Sequence, residues 1–200
     1  MRTTARRLIG FLLALFVGLG CVAPAWAEDI TVMSSKLTSR VSPPEGLYLS
    51  VNVEFDLPRS VQDALNRGIP LYFVTEFAIQ QQRWYWVNKP VIEASLMSRL
   101  SYSPLTRQYR LSRGGLSQSF DSLSETLSIL KSLKNCRFTD NPVIENAEDC
   151  VAEVRVRLDT EQLPLPMQVT IGENDWDLSS DWHSVTFDDS VKHPKEEKEQ

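Results

Sequence analysis

Histidine is the side chain whose ordinary pKa best suits proton transfer near neutral pH, and the chain has two, His183 and His193. His193 lies among charged residues near the end of the chain, so His183 is the candidate base. No serine lies in a GxSxG sequence, and neither an HExxH motif nor paired histidines indicate a metal site. The sequence therefore favours a surface role for His183 and predicts no catalytic residue, no metal and no cofactor.

Paired carboxylates, which glycosidases use, are a second chemistry to consider. Glu76 lies in an apolar stretch and, in a strand, would share a face with Val74 and Ala78. An inward carboxyl would have a raised pKa and be a functional candidate. We favour the alternative, an ion pair between Glu76 and an arginine from residues 83–137. The acidic stretch 173–177 is interpreted as a solvated loop rather than a calcium site.

Basic and aromatic residues are concentrated in the middle of an acidic chain. Residues 83–137 hold nine basic and three acidic residues, whereas the whole chain has 21 and 26. Aromatic rings beside arginines can bind sugars, peptides or acidic partners, although tryptophans in a small domain more often fill its core. The binding surface that we predict consists of Trp84, Trp86, Arg99, Arg107, Tyr109 and Arg110. The strand predicted at 106–111 has no purely apolar face, which fits either a charged edge strand or a strand facing a ligand.

The first 27 residues have the order of a secretory signal peptide. Three arginines precede an uncharged stretch from Leu8 to Ala27, which ends in the small-x-small sequence of a cleavage site. We expect cleavage and a periplasmic location. An uncleaved inner-membrane anchor is one alternative, since about 20 apolar residues can span a bilayer. Lipidation at Cys21 is another.

Removal of residues 1–27 would leave 18 basic and 26 acidic residues, a net charge of −8. This charge argues against binding to nucleic acid or to an anionic membrane surface, so membrane contact is expected only through an uncleaved N-terminal segment. Cys136 and Cys150 would remain. An even number of cysteines in an oxidising compartment predicts a disulfide between them.

Strand patterns dominate the rest of the chain. Residues 47–57 alternate apolar and polar side chains, and further strands are predicted at 30–33, 70–79, 83–87, 91–102, 106–111, 151–158 and 167–171. Helices are predicted at 58–67, capped by Asp56, and at 121–133, capped by Ser122 with Glu125.

Without a βαβ alternation, this pattern predicts a mainly β fold: an antiparallel β-sandwich with two short helical crossovers. An α+β fold, with helices on one face of an antiparallel sheet, is the alternative. We expect a single domain over residues 28–187. The charged segment 188–200 has one large apolar residue, which predicts a disordered tail.

Several short sequences, in order along residues 29–187, resemble domain of unknown function 4390, a family of exported bacterial proteins. These sequences are Phe55–Pro58, Ala64–Phe73, Arg83–Trp86, Arg99–Tyr102, Leu105–Leu111, Arg157–Asp159 and Gln162–Pro164. The resemblance implies no catalytic residues. Because members of the family are often encoded beside a membrane sensor histidine kinase, it implies a periplasmic partner of a signalling system.

Together these features predict an exported periplasmic binding or protein-interaction domain, accessory to a membrane sensor kinase, rather than an enzyme. A glycan- or peptide-acting hydrolase is one alternative, and it requires Glu76 or His183 in a concave pocket beside a second acid. A structural envelope protein is the other.

Overall fold

The computed structural model describes residues 30–82, 88–163 and 176–192. One sheet contains β1 (Thr31–Arg40), β2 (Gly46–Glu54), β7 (Ser132–Thr139) and β10 (Thr186–Phe187), in the order β10-β1-β2-β7. The other contains β3 (Leu71–Gln81), β4 (Lys89–Ser103), β5 (Gln108–Arg113), β6 (Leu116–Phe120), β8 (Cys150–Leu158) and β9 (His183–Ser184), in the order β6-β5-β4-β3-β8-β9. The predicted mainly β, antiparallel sandwich is confirmed.

The core lies between the two sheets, because alternate residues of their central strands are apolar. Leu49 and Val51 of β2 are buried on the face turned towards β3. The ring of Phe73 stacks on Phe55 at 5.4 Å between centroids, and Phe77 packs against Phe138 at 5.3 Å. Burying each such side chain contributes about 1.5–3 kcal/mol, so these contacts fix which face of β3 is turned inward.

Two helices carry the chain from one sheet to the other, as predicted: α1 (Arg59–Asn66) between β2 and β3, and α2 (Leu123–Leu130) between β6 and β7. Helix α2 begins as expected, since the Glu125 amide donates to Ser122 Oγ at 3.2 Å. It ends three residues early because the chain enters β7. The predicted Asp56 cap of α1 is wrong, because Pro58 occupies that position without a side-chain hydrogen bond.

The C-terminal segment adds one short strand to each of the two sheets. Strand β9 pairs with β8, whereas β10 runs parallel to β1. A short helix, α3 (Asp189–Lys192), follows, with Val191 only 1% exposed and an ion pair between Asp188 and Lys36. The packed chain therefore continues past residue 188, where sequence analysis began the tail, because Val191 finds an apolar site. None of the helices in the described ranges has the length and apolar character that crossing a membrane requires.

The structure does not show the predicted disulfide, since the thiols of Cys136 and Cys150 are free in it. Cys136 pairs with Leu49 in the four-stranded sheet, whereas Cys150 pairs with Gln81 in the six-stranded sheet. Facing sheets lie about 10 Å apart, and a disulfide holds its two Cα atoms within about 7 Å. Burial also raises the pKa of each thiol, which lowers the thiolate fraction that oxidation requires. Sequence spacing could not reveal that the two cysteines belong to opposite sheets.

The predictions on the N-terminal segment 1–27, on the strands at 83–87 and 167–171, and on residues 173–175 of the acidic stretch lie outside the described residues. Of that stretch, Trp176 is buried and Asp177 is exposed.

Candidate binding surface

The six-stranded sheet has a second face, turned away from the four-stranded sheet, which we call the outer face. Because Phe73 and Phe77 point inward, Tyr72 and Glu76 lie on the outer face of β3. This face has two halves. The ion-pair half, on β3, β8 and the residues before β9, contains Glu76, Arg155, Arg157 and Trp182. The serine–arginine half, on β4, β5 and β6, contains Arg99, Ser101, Arg110, Ser112, Ser117 and Ser119.

Two arginines of β8 hold the carboxylate of Glu76. Arg155 lies directly opposite Glu76, and its Nε and Nη2 donate to Oε2 at 2.9 and 2.5 Å. Arg157 Nε donates to the other oxygen, Oε1, at 3.0 Å, and its Nη1 lies 3.4 Å from Asp159 Oδ1. Both oxygens of Glu76 are therefore engaged in charge-assisted hydrogen bonds.

Burial alone would raise the pKa of Glu76, but the hydrogen bonds and charges of Arg155 and Arg157 outweigh it and lower that pKa. Glu76 is consequently ionised at neutral pH. The expected ion pair is confirmed, although its arginines come from β8 rather than from residues 83–137. A carboxylate held in this way is a poor proton donor, the role that a glycosidase assigns to one of its two acids.

Trp182 extends the ion-pair half by one further position. Continuing the register of β9 and β8 places Trp182 opposite Arg155, whose guanidinium carbon lies 4.9 Å from the centre of the indole ring. The side chain is still 43% exposed, and it borders an open depression of about 520 Å³ together with Glu76, Ser95 and Glu93. Sequence analysis did not assign Trp182 to this surface. No strand was predicted at residues 183–184, so nothing in the sequence placed Trp182 beside Arg155.

The serine–arginine half has the same sheet geometry but different cross-strand neighbours. Arg99 lies opposite Ser112, and Arg110 lies opposite Ser101 on one side and Ser119 on the other. Hydroxyls and these two guanidiniums line a depression of about 320 Å³. Within the described residues, no carboxylate lies within 4.0 Å of either guanidinium. The guanidinium of Arg99 instead lies over the ring of Tyr72, at 5.9 Å.

The structure brings together only part of the predicted binding surface. Arg99 and Arg110 are exposed side by side on the outer face. Tyr109 has the opposite parity on β5 and lies on the inner face, where its ring packs at 4.7 Å from Tyr102 and its hydroxyl donates to Asn66 at 3.0 Å. Burial, followed by the neighbouring Tyr102, raises the pKa of Tyr109. The prediction that Tyr109 shares a surface with the arginines is therefore corrected.

Arg107 is exposed in the turn that joins β4 to β5. Its φ is +56°, a left-handed conformation, and its N–H donates to the Ser103 carbonyl at 2.7 Å. Trp84 and Trp86, the two tryptophans of the predicted surface, lie outside the described residues.

The sequence of β5 fitted either a charged edge strand or a strand facing a ligand. It is not an edge strand, because β6 pairs with β5 on the side opposite β4. Sequence analysis missed β6. Gly114-Gly115, with φ values of +55° and +83°, form the two-residue turn between the strands, and such a pair is a recognised hairpin signal. The hydroxyl-rich face was missed with it.

His183 is exposed on β9 and shares a groove of about 360 Å³ with Asp181. Ser180 lines the same groove, but its hydroxyl accepts a hydrogen bond from the Val156 amide at 3.0 Å, a structural role. Within the described ranges, no cluster of three or more His, Cys, Asp or Glu side chains could hold a metal ion.

Comparison with known proteins gives one match. The model of a family described as a domain of unknown function, DUF4390, matches residues 27–186. No curated protein matches the chain. No solved structure matches it either.

Proposed function

The chain belongs to the family called domain of unknown function 4390, and because that description assigns no activity, we propose a function from the outer face. The domain binds another protein, and its serine–arginine half receives an acidic segment of that partner. Neither catalysis nor a cofactor is part of this function.

The observation that supports this function most directly is a pair of guanidiniums for which the described part of the chain supplies no carboxylate partner. Arg99 and Arg110 are exposed within one hydroxyl-lined depression. Guanidinium groups bind carboxylates in a bidentate manner, and the serine hydroxyls supply both donors and acceptors. The whole chain carries a net charge of −5, so this local positive region would steer acidic segments to one face while the rest of the surface repels them.

The ion-pair half is less suited to binding a charged partner. A ligand there would have to displace hydrogen bonds that Glu76 already receives from Arg155 and Arg157. Its lowered pKa likewise does not favour a hydrolase with Glu76 as general acid.

The proposed setting is the periplasm, which follows from the signal-peptide pattern of residues 1–27. Family resemblance makes the periplasmic part of a membrane sensor kinase the first candidate partner. An accessory domain of this kind would bind through charge and shape without altering the partner covalently.

The test is in-cell crosslinking of the tagged, exported chain followed by mass spectrometry. The informative variant combines Arg99→Glu with Arg110→Glu, and the control combines Lys89→Glu with Lys134→Glu, two exposed lysines outside the depression. Both variants change the net charge equally. We expect one membrane protein to be enriched with wild type and control, and at least tenfold less with the arginine variant.

Equal enrichment with the arginine variant would exclude the serine–arginine half as the binding surface. Recovery of abundant envelope proteins alone, with wild type as with both variants, would reject specific binding and favour the structural envelope role.

A further inference from the structure

Strand β6 forms one edge of the six-stranded sheet and lacks the usual protection of an edge. Within the described residues it pairs only with β5. Its sequence, Leu-Ser-Gln-Ser-Phe, has neither charge nor proline, and residues 116–119 are exposed, with Leu116 78% so. Natural edge strands commonly carry charges, prolines or bulges that prevent pairing with another chain. An edge without them is available for strand addition.

The hairpin fixes which backbone groups this edge presents. In a two-residue hairpin, Arg113 and Leu116 form the hydrogen-bonded pair that closes the turn. Because hydrogen-bonded and non-hydrogen-bonded pairs alternate along an antiparallel ladder, Gln118 also bonds to β5. The N–H and C=O groups of Ser117 and Ser119 therefore point away from β5, towards the open edge.

The side chains of Ser117 and Ser119 lie on the outer face between this open edge and the arginines. Ser119 lies opposite Arg110, and Ser117 lies opposite Ser112, with their hydroxyls 3.1 Å apart. An added strand would lie about 5 Å beyond β6, hence about 10 Å from β5. Since serine side chains are short, the long side chain of Arg110 can extend over Ser119 towards such a strand.

We propose that β6 is a docking edge, to which an extended acidic segment of the partner protein adds as a further strand. Its backbone pairs with Ser117 and Ser119, and alternate carboxylates lie on the outer face towards Arg110. This proposal rests on the proposed function and specifies how the partner binds.

Charge identifies the occupant. Pairing of β6 with β6 of a second copy would bring two serine–arginine halves together, so that unpaired arginines would face each other. An acidic strand places opposite charges there instead. Strand addition takes affinity from the backbone and specificity from alternate side chains, which matches a free edge beside a basic face.

The test measures binding of fluorescent peptides to the exported, purified chain. The probe is the octapeptide (Thr-Glu)4, and (Thr-Lys)4 is its charge control. Ser119→Pro removes the outward N–H without removing a hydrogen bond to β5, and prolines are tolerated at such edge positions. Ser119→Ala is the matched control, because it removes the hydroxyl but keeps the N–H.

We expect (Thr-Glu)4 to bind and (Thr-Lys)4 not to bind. Ser119→Pro should weaken binding at least tenfold relative to Ser119→Ala, whose own loss measures the contribution of the hydroxyl alone. Hydrogen exchange of the wild-type chain gives an independent measurement that needs no variant: the amides of Ser117 and Ser119 should exchange more slowly when (Thr-Glu)4 is bound.

The outcomes separate the two proposals. If Arg99→Glu with Arg110→Glu abolishes binding while Ser119→Pro and exchange at β6 show no effect, the proposed function stands and the docking edge is rejected. If neither variant weakens binding, or (Thr-Glu)4 does not bind, both are rejected. A dimer that Ser119→Pro dissociates would identify a second copy as the occupant and overturn the acidic segment.

Discussion

The two halves of the outer face use the same residue type in opposite ways. Arg155 and Arg110 both project from strands of one sheet and both reach its solvent side. Arg155 lies opposite Glu76 and forms an ion pair, whereas Arg110 lies opposite Ser101 and has no carboxylate partner among the described residues. The difference lies in the cross-strand neighbour. An arginine on a sheet surface is structural where the next strand presents a carboxylate in register, and is free to bind where it presents a hydroxyl.

The largest effect is expected from removing the carboxylate on which the ion-pair half depends. Glu76→Gln would leave Arg155 and Arg157 facing each other without their shared anion. Because Glu76 is only 20% exposed, we expect a loss of about 2 kcal/mol in the free energy of unfolding. Denaturant unfolding measures it. Glu93→Gln, on the same face but exposed, is the control and should change stability by less than about 0.5 kcal/mol. Equal losses of unfolding free energy in Glu76→Gln and Glu93→Gln would show that the ion pairs of Glu76 do not stabilise the fold.

A smaller effect is expected from acid. The pKa of Glu76 is lower in the folded than in the unfolded chain, so its contribution is fully present above the ordinary glutamate value of about 4.3. It is lost as the pH falls through the folded pKa. Between pH 7 and pH 3 we expect wild type to lose more stability than Glu76→Gln, as measured by unfolding at each pH. If the free energy of unfolding of wild type and of Glu76→Gln changed equally with pH, Arg155 and Arg157 would not be stabilising the ionised carboxylate of Glu76.

The smallest effect on stability belongs to the serine–arginine half. Replacing Arg99 and Arg110 together by methionine keeps an unbranched apolar stem at both positions but removes two charges that lack carboxylate partners in the described structure. We expect the free energy of unfolding to change by less than about 0.5 kcal/mol. Arg155→Met is the matched variant in the ion-pair half, and it should cost about 1–2 kcal/mol because it leaves Glu76 with one arginine. Similar losses from both changes would mean that the two halves do not differ.

The sandwich could be predicted because its signals are local. The alternation of residues 47–57 follows directly from a strand with one buried face, and Ser122 with Glu125 marks a helix start within four residues. The C-terminal boundary was missed because a single buried side chain, Val191, holds that segment against the sheet.

The site could be predicted only in part, since it depends on register. Arg99 and Arg110 were recognised by residue type. That Ser101 lies opposite Arg110, however, depends on the register of the hairpin between β4 and β5, which residue types do not determine. Glu76 was expected to pair with an arginine, yet β8 follows β3 by about 70 residues, so nothing local pointed to Arg155. Tyr109 was assigned to the wrong face because a strand with mixed polarity does not reveal which parity is buried.

The position of β10 beside β1 determines when the sandwich can be completed. Lys36 pairs with Thr186, so one edge of β1 finds its partner about 150 residues further along the chain. Such a contact closes a long loop, and contacts of this kind form late and slow folding. Until residues 186–187 reach it, β1 has one unpaired edge, which is available for pairing with strands of other chains.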